Sequence, residues 1–166
     1  MNRKILAITF VLTFLATAVV SAAEPRWQKI INANEYRYYF DTLTISYGKT
    51  APKSTRDEVK IDKNVIKFYA QEVYVNPQDI AEKLQQINNS VNWGSVAYSV
   101  EACEYDVKNK KICQKDISFF DTNGTYIGTV TRNTWHNIVP GSDEETIYNY
   151  IIQYAKDHNK ELKQRS

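Results

Sequence analysis

The sequence predicts an α+β domain, an antiparallel β-sheet of about six strands packed by a C-terminal α-helix, with one short additional helix. Three observations carry that expectation. Val65 to Val75 alternates with the period of a strand, and Ser95 to Val130 reads as three strands joined by two turns. Ser142 to Tyr154 opens with a capping box and continues as an apolar stripe at helical spacing. Such a helix must bury its stripe, and the apolar face of an antiparallel sheet is its natural support.

Taken in order, Arg26–Asn32 and Tyr36–Ile45 are rich in aromatic and β-branched residues and read as two strands, with Asn32-Ala33-Asn34 turning between them. From Gly48 to Lys60 the chain carries Gly48, Pro52, Ser54 and several charges, the composition of an exposed loop. Val65, Tyr69 and Val73 fall on one face of the next strand and Ile66, Phe68, Ala70, Glu72 and Tyr74 on the other. A strand apolar on both sides is interior to a sheet, or is covered by a helix on one side and a partner on the other. Asn76-Pro77 with Asp79 starts a short helix whose stripe is Ile80, Leu84 and Ile87, ending near Asn88-Asn89. Two hairpins follow, one pivoting near Lys108-Asn109 and one on Asn123-Gly124. In the last helix Ser142 and Glu145 form the cap, Asp143 and Glu144 place negative charge at its start, and Ile147, Tyr150, Ile151 and Tyr154 share one face. Lys156–Ser166 is highly charged and is expected to fray into solvent.

The first 23 residues read as a signal peptide: Arg3 and Lys4 form a basic start, Ile5–Val20 is an apolar run broken by Thr9, Thr13 and Thr17, and Ser21-Ala22-Ala23 offers a cleavage site. The alternative is a membrane anchor, but the apolar run is short for a bilayer span and no basic stop-transfer cluster follows. No cysteine lies near the cut, so a lipoprotein attachment site is missing. The expectation is export to the periplasm, the outer surface or the medium, with residues 24–166 as a single domain. The full chain has 21 Lys and Arg against 19 Asp and Glu, and the excess leaves with Arg3 and Lys4. A balanced surface gives no electrostatic reason to expect nucleic acid or an anionic membrane as partner.

Cys103 and Cys113 are the only cysteines. In an exported chain such a pair is more often a disulfide than a metal or redox site, with two free thiols as the alternative. A hairpin pivot at residue 108 would set the two directly opposite each other, within bonding reach.

Several residues, taken together, resemble a known family. Trp27 soon after the leader, Tyr39-Phe40-Asp41 running to Ile45, the paired central hairpins, and Trp135-His136-Asn137-Ile138-Val139-Pro140-Gly141-Ser142 before a tyrosine-bearing helix are similar to the surface-adhesin protein E-like family of exported bacterial proteins. The similarity spans nearly all of residues 24–166. It implies a small antiparallel sheet packed by the C-terminal helix, located at the envelope, with some members binding host matrix and serum proteins. This chain differs in placing its cysteine pair inside one hairpin and in a longer, more charged tail after Tyr150.

No catalytic, cofactor-binding or metal-ligating set stands out, and the chain is read as a non-enzyme. His136 and His158 are the only histidines and have no Cys, Asp or Glu at ligand spacing. Glu101 and Glu104 fall on opposite strand faces and form no catalytic pair. Twelve tyrosines favour protein recognition, because tyrosine is large, rigid and amphipathic. Tyr36, Tyr38 and Tyr39 are binding candidates, as are the loop cations Lys49, Lys53, Arg56 and Lys60 and the hairpin-tip lysines Lys108, Lys110 and Lys111. Structural roles go to Trp27 and Trp135, either of which is placed to pack beneath the last helix, and to Pro140, Gly141 and Ser142 at its entry. The function expected is binding of another macromolecule, adhesin-like. The alternative is a small-ligand or inhibitor domain with a pocket between helix and sheet, and an apolar sheet could also pair two copies as a homodimer.

Overall fold

The computed structural model describes residues 25–51 and 58–166, so the leader, Lys53 and Arg56 lie outside the described residues. The strands are β1 (Trp27–Asn32), β2 (Tyr36–Asp41), β3 (Ser46–Lys49), β4 (Ile61–Tyr74), β5 (Tyr98–Asp106), β6 (Lys111–Phe120) and β7 (Tyr126–Asn137). The helices are α1 (Pro77–Ile87), α2 (Asp143–Asp157) and α3 (Asn159–Arg165). One sheet runs β1-β2-β4-β5-β6-β7, and β3 pairs with β4 as well. Every pairing is antiparallel.

The strand expected over Tyr36–Ile45 ends at Asp41, where a turn begins, and β3 starts beyond it at Ser46. The buried Asp41 carboxylate accepts the Leu43 N–H at 3.0 Å through Oδ1 and the Arg26 guanidinium at 3.0 Å through Oδ2. This turn lets β2 pair with the second half of β4, and β3 with its first half. β3 therefore occupies residues expected to open the Gly48–Lys60 loop.

Alternation along β4 and β5 divides the sheet into two unlike faces. Phe40, Ile66, Phe68, Cys103 and Tyr105 point to the face on which α2 and α3 lay Ile147, Tyr148, Ile151, Tyr154 and Leu162. On the same face, at the β5–β7 side, Ile117 and Phe119 meet Ala81 and Leu84 of α1 together with Trp93. Trp93 is 1 % exposed, donates its indole N–H to Asn88 O at 2.8 Å and lies over Gly128, where a Cβ would come within 2.8 Å of Cη2. Gly128 is thus the space that lets the indole approach the sheet closely.

α2 begins as expected. Ser142 Oγ accepts the Glu145 N–H at 3.2 Å, the Glu145 carboxylate accepts the Gly141 N–H at 2.8 Å, and Gly141 takes a φ of +78° that costs a glycine little. In α1 the stripe is Ala81 and Leu84 with Ile80 beside them, whereas Ile87 is exposed.

Three expectations are corrected. Cys103 and Cys113 are free thiols, not a disulfide. The hairpin tip is Val107–Lys110, so Cys103 pairs with Gln114 and Cys113 with Glu104. That one-residue slip sends the two side chains to opposite faces. Nor does the tail from 156 to 166 fray: it forms α3, with Leu162 fully buried, Arg165 donating to Thr42 O, and Ser166 Oγ accepting the Tyr47 N–H at 2.9 Å. Finally, Trp27 and Trp135 do not pack beneath α2. Trp27 is half-buried with the Arg26 guanidinium 5.7 Å from its ring, and Trp135 is an exposed residue of the edge strand β7.

Candidate binding face

All three helices cover one face of the sheet, and among the described residues no element covers the other. Residues paired across neighbouring strands share a face, which orders the open side into rows. Arg37, Val73, Tyr98, Phe120 and Tyr126 form one row, and Tyr39, Gln71, Val100, Ser118 and Thr129 the next. Tyr69 beside Ala102 follows, and then Lys67, Glu104, Cys113 and Trp135. Tyr98 stacks on Phe120 with centroids 5.2 Å apart, and Phe120 meets Tyr126 edge-on at 6.0 Å. These pairs hold the rings rigid before any partner arrives. Tyr69 and Tyr126 are 48 % and 58 % exposed, so both present large amphipathic surface on this side. The charged border includes Lys115, whose ammonium sits 2.5 Å from Glu104 Oε2 and is held protonated to higher pH by that bond.

The predicted site residues are divided by this arrangement. Tyr39 lies on the open face, whereas Tyr36 and Tyr38 share the helix-covered face and are not available to a partner there. The Tyr36 hydroxyl donates to Asp143 Oδ2 at 3.0 Å, and burial followed by that bond raises its pKa. Tyr38 is buried with its hydroxyl 3.8 Å from Cys103 Sγ. Lys49 and Lys60 flank the β3–β4 loop, and Lys108, Lys110 and Lys111 surround the β5–β6 tip. Pairing of Lys49 with Ile61 and of Val65 with Asp106 puts these two segments at the same end of the sheet. Lys110 is already engaged, 3.8 Å from Glu145. Pro140 precedes the Gly141–Ser142 cap that starts α2.

Two acids that the sequence does not bring together lie close on the helix-covered face, Glu101 buried and Glu72 half-buried. Glu101 is 2 % exposed on the helix-covered face, with Oε2 accepting the Gln114 amide at 2.9 Å and Oε1 without a hydrogen-bond partner among the described residues. Glu72 pairs with Ser99, two residues from Glu101, so the carboxyls are diagonal neighbours. Burial, then the Glu101 charge, pushes Glu72 up to about 8, with Arg132 pulling the other way, and burial raises Glu101 too. The signal lay in the alternation: an acid continues the apolar phase Ile66, Phe68, Ala70. These groups can hold protons at neutral pH.

His136 Nε2 lies 2.8 Å from Glu144 Oε1, both substantially exposed, and His158 stacks on Tyr154 at 3.9 Å. Among the described residues no group of three or more His, Cys, Asp or Glu is placed to hold a metal ion, and no helix is long and apolar enough to cross a membrane. No family model matches the chain, and no curated protein matches it.

Proposed function

We propose that this is an exported binding protein of the bacterial envelope or surface, which grips another protein, such as a host matrix or serum protein, through the uncovered face of its sheet. The observation that supports the reading is the division of the sheet. Three helices are spent on one face, while the other displays Tyr39, Tyr69, Tyr98, Phe120 and Tyr126 around Val73 and Val100. Aromatic, rigid and bordered by mixed charge, this surface has the composition of a protein interface. The resemblance to the surface-adhesin protein E-like family points the same way. The reading includes cleavage of the leader and a role that needs no catalysis.

Protein expressed from the full sequence, immobilised and offered purified matrix and serum proteins and the producing cell's own envelope fraction, tests this. Specific capture that falls at least about tenfold in Tyr69→Ser/Tyr126→Ser is expected, because exposed interface tyrosines carry a large share of binding energy. Capture unchanged by the substitution, or no capture from any source, overturns the reading.

A further inference from the structure

A cavity of 330 Å³ opens between helix and sheet, away from the open face, where the start of β4, the β5–β6 tip and the α2–α3 junction meet. Its walls are apolar: Ile66 belongs to the core, and Val107 and Ile152 are half-buried against that core. Tyr47 also lines it, and its hydroxyl donates to Ala155 O at 2.9 Å with Asn159 Oδ1 at 3.2 Å, both residues of the same lining. The charged residues of the lining are Lys63 and Lys156, both exposed.

Neither lysine forms an ion pair with a carboxylate of the described residues. Lys63 is held over the Tyr47 ring at 5.9 Å. The acids of the same segments are engaged locally. Asp62 accepts the Asn64 N–H, Asp106 binds Asn109, and Asp157 accepts the Gln153 amide. The cavity is a largely apolar cleft with two lysines and no carboxylate among its lining residues, at the small end of the roughly 300–1,000 Å³ range of ligand pockets.

We propose that this cavity binds a small amphipathic carboxylate, an acyl or aryl-alkyl acid whose tail lies on Ile66, Val107 and Ile152 and whose head is taken up by Lys63 and Lys156. A tail alone would gain nothing from the two solvent-facing lysines, and a fully polar anion would leave the apolar walls wet. Only a molecule with both halves satisfies both sets of groups. The site is independent of the open sheet face, so either reading can fail without the other.

The test is titration of the protein, expressed from the full sequence, with octanoate, octanol and acetate, followed by calorimetry and by backbone amide shifts. Octanoate is expected to bind, with shifts confined to residues 47, 63–66, 107 and 152–159, and at least about tenfold more tightly than octanol or acetate. Lys63→Met/Lys156→Met keeps the stems that cover the apolar wall and is expected to weaken octanoate about tenfold or more while leaving the melting temperature unchanged. Equal affinity for octanol, equal affinity in the double variant, shifts centred elsewhere, or no octanoate binding overturns the proposal. Lys67→Met/Lys115→Met, on the opposite face, controls for loss of charge alone, and an equal weakening there also overturns it.

Discussion

Replacing Glu72 by glutamine tests the buried acids directly. In the fold, burial and the nearby Glu101 push the Glu72 carboxyl up to about 8, whereas the free side chain titrates at 4.5. Below 4.5 both folded and unfolded chains hold the proton, and the contribution to stability is complete. As pH rises from 4.5 towards 8 the unfolded chain gives up its proton while the fold retains it, so stability falls across that window and levels off above it. At about 1.36 kcal/mol per pKa unit the ceiling is about 5 kcal/mol, and water at the half-buried Glu72 lowers the expected loss to about 2–3 kcal/mol. Glu101 titrates with it, so the loss belongs to the pair. Urea unfolding, followed by fluorescence of the buried Trp93, measures it at pH 5 and pH 8. Wild type is expected to lose about 2–3 kcal/mol between the two, and Glu72→Gln less than half of that. A wild type equally stable at both pH values, or a variant that retains the whole slope, would refute the reasoning.

Other outcomes follow from single contacts. Leu162→Ala, which empties a fully buried position in α3, should cost about 2–5 kcal/mol in urea unfolding, and a cost below about 0.5 kcal/mol would show that the tail is not docked. Ser142→Ala removes the cap of α2 and should cost about 1 kcal/mol, read as a lower melting temperature. Gly128→Ala drives a methyl into the Trp93 ring and should cost about 1–3 kcal/mol with a changed tryptophan emission, whereas an unchanged spectrum would contradict the close approach. Thiol titration without reductant should find both cysteines slow to react in the native protein, since both are buried and burial raises the Cys103 thiol pKa, and two reactive thiols after unfolding. Absence of thiol reactivity after unfolding would restore the disulfide.

Where local chemistry decides, the chain is plain to read. A capping serine, an acid three residues on and a stripe of Ile147, Ile151 and Tyr154 specify a helix whatever surrounds them, because each signal acts within one or two turns. The same holds for the alternation of Val65–Val75 and for the Asn123-Gly124 turn, where Gly124 takes a φ of +80°. The α+β class and the pairing of the central hairpins followed from such signals.

Register and the direction of faces are decided by tertiary structure. A pivot at residue 108 and a tip at Val107–Lys110 differ by a single pairing step, which no local propensity distinguishes, yet the step moves Cys113 to the face opposite Cys103. Alternation likewise separates Tyr38 from Tyr39 without saying which one the helices will cover. Only the docking of α2 and α3 assigns Tyr38 to the core and Tyr39 to the open side. The tail differs from its expected fraying for a related reason: its charges are local, but Arg165 and Ser166 dock on residues more than a hundred positions earlier, Thr42 and Tyr47. Sequence determines the elements because their signals are short-range. The fold alone determines which surfaces are buried, which cations are left without acids, and where a partner or a small acid can bind, because those depend on what long-range packing brings together.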